Sequence, residues 1–275
     1  MTLTRRQVRD LLTEHGLSPS RALGQNFVAD PNTVRRIARL AGVGPGDRVV
    51  EVGPGLGSLT VALAETGAEV TAVEVDRHLL PVLRSVVEPA GVRVVEGDAM
   101  TLDWDEVLGG DAVGGGEARW ALVANLPYNV ATPLVLDLLA RVPAIDRMLV
   151  MVQREVGERL AAAPGGKAYG IPSVKVAYRA QAEVVGRVPP TVFIPQPRVE
   201  SALVRLCRLP GPPVDADPER LFRLVEAGFG QRRKMLRRSL ASLVDPPAFE
   251  RAGVRPEARA EELSLEDWAR LANAM

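Results

Sequence analysis

The 275-residue sequence holds one cysteine, two histidines and only three lysines, and each scarcity narrows what the chain can be. The lone Cys207 excludes an intrachain disulfide and fits a reducing compartment. His15 and His78 stand far apart, and no Cys/His spacing suggests zinc, so no metal is expected. Lysine occurs only at Lys167, Lys175 and Lys234, a bias that points to the base composition of the gene rather than to function. Formal net charge is zero. That argues against a wholly basic nucleic-acid coat and leaves room for a local basic patch. No apolar run exceeds strand length, so no membrane span is expected. Residues 1–16 carry charge throughout, which fits neither a signal peptide nor an anchor and makes the cytoplasm the expected location. A Walker A loop is absent, and no Ser-His-Asp or Cys-His set competes for a catalytic role.

Hydrophobic residues make up 47% of the chain, enough for one large domain or a domain with a small appendage. Strand-like runs at Arg48–Val52, Glu69–Glu74, Arg93–Glu96, Trp120–Ala124 and Met148–Val152 alternate with helical segments such as Ser58–Ala64 and His78–Val87. This predicts an α/β fold: a mostly parallel sheet covered on both faces, binding ligands beyond the carboxyl ends of its strands. Val174–Tyr178 and Ala202–Cys207 read as two strands without an intervening helix, hence a C-terminal antiparallel hairpin. A glycine-rich surface loop is expected over 108–117. Four prolines between Leu209 and Pro218 mark a linker. The expected division is therefore a catalytic domain over 1–209 with an N-terminal arm over 1–30, a linker over 210–218, and a helical domain over 219–275.

Three strand ends carry chemistry. Glu51-Val52-Gly53-Pro54-Gly55-Leu56-Gly57 closes the first strand with G-x-G-x-G spacing, and Ser58 stands where a dinucleotide fingerprint has its third glycine. Gly53, Gly55 and Gly57 let backbone approach a ligand closely. Glu74 ends the second strand, where an acid can accept from both ribose hydroxyls of either a nicotinamide or an S-adenosylmethionine cofactor. Asp98 follows the third and can accept from a cofactor's adenine amine. Asp76 and Asp103 read as solvated charge. Asn125-Leu126-Pro127-Tyr128 follows a buried strand. The Asn125 side chain and the Leu126 carbonyl can hold both hydrogens of an exocyclic amine and free its lone pair for an electrophile. Pro127 restricts Leu126 to extended geometry, and Tyr128 offers a face on which a base can stack.

Taken in order, Gly24-Gln25-Asn26-Phe27-Val28, the Glu51–Gly57 loop, Glu74, Asp98, Asn125–Tyr128, Phe193–Ala202 and Gly228–Leu236 resemble the bacterial KsgA/RsmA-type small-subunit ribosomal RNA adenine dimethyltransferases. The resemblance runs from about Leu23 to Leu240; Val28 stands where Leu is usual. It implies a class I S-adenosylmethionine-dependent methyltransferase fold, Rossmann-like, with a helical C-terminal domain. It implies S-adenosylmethionine contacts at Gln25, Asn26, Val28, Gly53, Gly55, Gly57, Glu74, Asp98 and Asn125. Asn125 and Leu126 would hold the target amine, with Tyr128 and Phe193 sandwiching a flipped adenine. The implied reaction dimethylates two adjacent adenines near the 3′ end of 16S ribosomal RNA, with a checkpoint role in late small-subunit assembly. Arg232, Arg233, Lys234, Arg237 and Arg238 form a basic cluster that, read as a helix face, would bind RNA phosphates of the immature 30S subunit. A monomer is expected. The rivals are an Erm-type large-subunit methyltransferase, a non-catalytic assembly factor and a NAD-dependent enzyme, the last disfavoured by the glycine spacing and by the context of Tyr128; Asn-x-Pro-Tyr alone also admits methylation of protein glutamine or DNA adenine.

Overall fold

The computed structural model describes residues 2–110 and 119–275. By internal contacts it divides into two compact units: Met1–Gly157 with Glu183–Cys207, and Glu158–Ala182 with Arg208–Met275.

The chain begins with helix α1 (Arg5–Glu14), strand β1 (Phe27–Val28), α2 (Pro31–Ala41), β2 (Arg48–Val52), α3 (Ser58–Ala64), β3 (Glu69–Glu74) and α4 (Leu80–Val87). Next come β4 (Arg93–Glu96), α5 (Trp104–Val107), β5 (Trp120–Asn125), α6 (Ala131–Arg141) and β6 (Ile145–Gln153). After α7 (Arg154–Leu160) and α8 (Ile171–Ala177) follow β7 (Ala180–Val188), β8 (Phe193–Ile194) and β9 (Ser201–Arg208). The chain closes with α9 (Pro218–Gly230), α10 (Leu236–Ser239), α11 (Pro246–Ala252) and α12 (Leu265–Asn273).

The larger unit is organised by a seven-stranded sheet of order β4-β3-β2-β5-β6-β9-β7. Strands β2 to β6 run parallel and β9 antiparallel to β6. Strand β5 is buried from Trp120 to Ala124 because helices cover both sheet faces. The strand order reverses between β2 and β5, the switch point at which open α/β sheets leave a crevice for ligands. Local signals set the helices that flank it. Asp30 accepts from the Thr33 amide, Pro31 opens α2, and Gly42 in the left-handed region ends it.

The second unit is helical, packed around the fully buried Trp268. The Phe229 ring lies 6.2 Å from it, and at Gly228 a Cβ would come within 2.6 Å of the Trp268 ring. Among the described residues no helix is long and apolar enough to cross a membrane.

Three expectations need correction. Val174–Tyr178 is not a strand: Val174–Ala177 form the last turn of α8 and Tyr178 is its C-cap. The Gly170 amide donates to the Ser173 hydroxyl and Pro172 sits in the first turn, so the helix starts there, and Val174 and Tyr178 share one buried face at i, i+4 spacing. The neighbour of β9 at the sheet edge is instead β7, whose irregular burial along Ala180–Val188 hid it from pattern reading. By internal contacts residues 158–182 group with the helical unit although β7 begins at Ala180; within that unit Tyr169 donates to the Leu263 carbonyl and Tyr178 packs edge-on against Phe222. The expected glycine loop over 108–117 lies, from residue 111 on, outside the described residues.

Candidate active site

The cavity at the switch point is walled by the arm segment 23–28, the loop after β2, and the ends of β3, β4 and β5. It brings together Gln25, Asn26, Val28, Gly53, Gly55, Glu74, Asp98, Asn125, Leu126, Pro127 and Tyr128. Gly53, Gly55 and Gly57 all have positive φ, between 60° and 86°. At Gly55 the requirement is double: a Cβ would also stand 2.8 Å from the Phe27 ring, so the arm packs directly onto the loop. Gly57 caps α3 behind the cavity rather than lining it.

Acids line the wall at different depths. Glu74 is buried; its Oε2 accepts from the Gly55 amide at 3.0 Å and its Oε1 from the Asp76 amide at 2.9 Å. Burial raises its pKa against these two hydrogen bonds. Each carboxylate oxygen keeps a second lone pair for a ligand hydroxyl. Asp98 is exposed, with Oδ1 accepting from the Met100 amide. Glu51, a residue whose burial sequence reading gave no sign of, is 1% exposed. Burial pushes its carboxyl up to about 8, with the Thr60 hydroxyl opposing and the nearby Glu74 adding. Its Oε2 and the Ser58 hydroxyl, both on the cavity wall, are buried without a hydrogen-bond partner. Such orphaned polar atoms beside a glycine cradle fit a polar ligand bearing donors.

The arm and β5 are coupled through amides. Asn125 donates from Nδ2 to the Asn26 carbonyl at 2.9 Å, which leaves its Oδ1 as the acceptor end. Asn26 donates to the Gly24 carbonyl. Gln25 donates to Asp76 at 2.8 Å and accepts from the Ser20 amide. Asp76 is therefore part of an arm latch, not free solvated charge. The Leu126 amide donates to the Met151 carbonyl. The Tyr128 hydroxyl lies 2.9 Å from the Ser201 hydroxyl, and burial raises the phenol pKa, so the ring is a neutral phenol.

Phe193 is not among the residues that wall the cavity. Phe193 is 1% exposed and belongs to the core that includes Val28 and Ile37, so its ring presents no open stacking face. The cause is the two-stranded pairing of β8 with β1, which sets Phe193 opposite Val28. The basic cluster is not one helix face: α9 stops at Gly230, Arg232–Lys234 lie in a turn, and α10 starts at Leu236. Within that unit Arg232 donates to the Lys167 carbonyl and faces Glu261, and Arg237 faces Glu257. Arg233, Lys234 and Arg238 are exposed. Among the described residues no group of three or more His, Cys, Asp or Glu is placed to hold a metal ion.

Solved structures share this architecture. The crystal structure of the 23S rRNA methyltransferase ErmE matches 90% of this chain and 98% of its own, at a TM-score of 0.68 and 27% identity. A dimethyladenosine transferase from Plasmodium falciparum matches 89% and 95%, at a TM-score of 0.72 and 21% identity, a likeness of fold. Fold and cavity together define a class I S-adenosylmethionine-dependent methyltransferase. The family model described as ribosomal RNA adenine dimethylase matches residues 17–275, and the chain belongs to that family. It is 49% identical to the Ribosomal RNA small subunit methyltransferase A of Kineococcus radiotolerans, over 98% of this chain and 90% of that one. It is 48% identical to the protein of the same name from Thermobifida fusca, over 98% and 95%.

Proposed function

We propose that this protein dimethylates the exocyclic amines of two adjacent adenines near the 3′ end of 16S ribosomal RNA, acting as a cytoplasmic monomer on immature 30S subunits. The observation that carries the reading is the tether of Asn125 Nδ2 to the Asn26 carbonyl, which commits the Asn125 oxygen to accepting, one residue from the Leu126 carbonyl. The names of the small-subunit relatives support the choice of RNA.

S-adenosylmethionine, when bound, supplies an electrophilic methyl on a sulfonium, so no covalent enzyme intermediate is needed. Glu74 would accept from its ribose hydroxyls and Asp98, through Oδ2, from its adenine amine. The glycine loop and the orphaned Glu51 and Ser58 oxygens would complete the cradle. An adenine amine is a poor nucleophile because its lone pair is spread into the ring. With Asn125 Oδ1 and the Leu126 carbonyl each accepting one N–H, the lone pair is turned out of the ring toward the methyl donor. Pro127 keeps the Leu126 carbonyl aimed, and Tyr128 offsets part of the few-kcal/mol cost of unstacking the base. Once the methylated nitrogen has shed one proton to solvent a single N–H remains, so the second round relies on a single acceptor. The phosphate contacts fall to Arg233, Lys234 and Arg238, with Arg232 and Arg237 partly committed to acids of their own unit.

The test is transfer of labelled methyl to immature small subunits lacking these modifications, with mass mapping of the nucleotides. Dimethyladenosine at the adjacent pair is the expected product. Transfer only to large-subunit RNA would establish the ErmE-like reaction instead. RNA binding with no transfer to either would leave an assembly factor.

A further inference from the structure

Strand β9 runs antiparallel to β6. Strands β2 to β6 all finish at the edge where the cavity lies, whereas β9 starts there. Its first residue, Ser201, therefore arrives beside Tyr128 across a separation of 73 positions in sequence. Ser201 is fully buried and sits in register with Gln153, the last residue of β6. The preceding residue is also held: the Arg154 amide donates to the Glu200 carbonyl, and the Arg154 guanidinium pairs with the Glu200 carboxylate at 3.0 Å. The Ser201 hydroxyl is thus a fixed point, and its only hydrogen-bond partner among the described residues is the Tyr128 phenol.

Tyr128 needs such a point. It lies in the turn before α6, half-buried, and is among the residues that wall the cavity. The phenol oxygen lies on the Cβ–Cγ axis, so the hydroxyl pair anchors the far end of the ring and restrains its swing about the Cα–Cβ bond, an anchor that a phenyl ring would lack. We infer that Ser201 is a positioning residue that fixes where the Tyr128 ring sits for adenine capture, and that the Tyr128 hydroxyl serves as this tether rather than as an acid or base. The inference rests on the proposed stacking role of Tyr128.

A double-mutant cycle tests it on the full chain with immature small subunits as substrate. Ser201→Ala and Tyr128→Phe each delete the same hydrogen bond from opposite ends. Each should lower kcat/KM for RNA about 3- to 10-fold, the worth of one such bond, while the Kd for S-adenosylmethionine stays within about 2-fold. The double variant should be no worse than either single one. Multiplying losses would mean that Ser201 acts apart from the Tyr128 hydroxyl and would overturn the inference, as would unchanged turnover in Ser201→Ala. Retained cofactor affinity reports that the variants are folded; if Ser201→Ala lost it, Tyr128→Phe alone would still decide, and unchanged turnover there would refute the tether. Tyr128→Ala separates the two levels. Turnover surviving that change would sink the stacking reading itself. Collapse of Tyr128→Ala with a silent Ser201→Ala would sink only the tether.

Discussion

Glu51 offers the sharpest physical test of the site, because its ionisation is set by the fold alone. Its carboxyl is buried beside the glycine loop with Oε2 unpaired, and burial carries its pKa from 4.5 to about 8. Between those values the folded protein holds a proton that the unfolded chain has released. The resulting stability is full below about pH 4.5 and is lost as pH rises through about 8. A span of about 3.5 pK units at about 1.36 kcal/mol each is on the order of 5 kcal/mol, comparable with the whole stability of a small domain. Glu51→Gln keeps the size and the neutral state but removes the titration. The assay is thermal melting of both proteins without cofactor at pH 5, 6, 7 and 8. Between pH 5 and 7 the wild type should lose about 2–3 kcal/mol more than the variant, roughly 5–10 °C in Tm. Glu74 is shifted in the same direction but is present in both proteins, so it largely cancels in the difference. Two melting profiles that stay parallel across this range would show Glu51 ionised in the folded state and would refute the reasoning.

Asn125→Ala should lose most methyl transfer, on the order of 100-fold or more, while S-adenosylmethionine binding by calorimetry changes little; unchanged turnover would remove Asn125 from the chemistry. Gly55→Ala should abolish cofactor binding, since φ of 60° and a Cβ 2.8 Å from the Phe27 ring both resist it, and normal affinity would contradict that crowding. Phe193→Ala should destabilise the fold by about 3–5 kcal/mol in urea melts, as a core truncation does. An intact midpoint with selective loss of adenine capture would return Phe193 to the stacking role. Replacing Arg233, Lys234 and Arg238 by Ala should flatten the slope of log affinity against log salt by about 2. Replacing Arg232 and Arg237 should flatten it less, and equal effects would dissolve that division.

Much of this protein was legible in sequence because its informative residues are local signals. The strands β2, β3, β4 and β5 and the helix α3 follow from apolar runs and glycine punctuation, Glu74, Asp98 and Asn125 declare themselves at strand ends, and Gln25 stands out only through the family resemblance. What sequence could not decide depends on neighbours remote in the chain. Val174–Tyr178 has the composition of a strand; it is a helix because Gly170 and Ser173 start it and a helical core receives one of its faces. Phe193 has the chemistry of a stacking ring, yet pairing of β8 with β1 seats it in the core. The basic run reads as one helical face, but α9 ends at Gly230 and the cations divide between a turn and α10. Glu51 looks like the lead residue of a loop motif, and only the packed sheet buries it and shifts its proton. Sequence determines which groups are present and which local geometry they favour. Burial, and the partner each group meets, are decided when distant strands close over them, and with that the proton on Glu51, the fixed end of Asn125 and the tether on Tyr128.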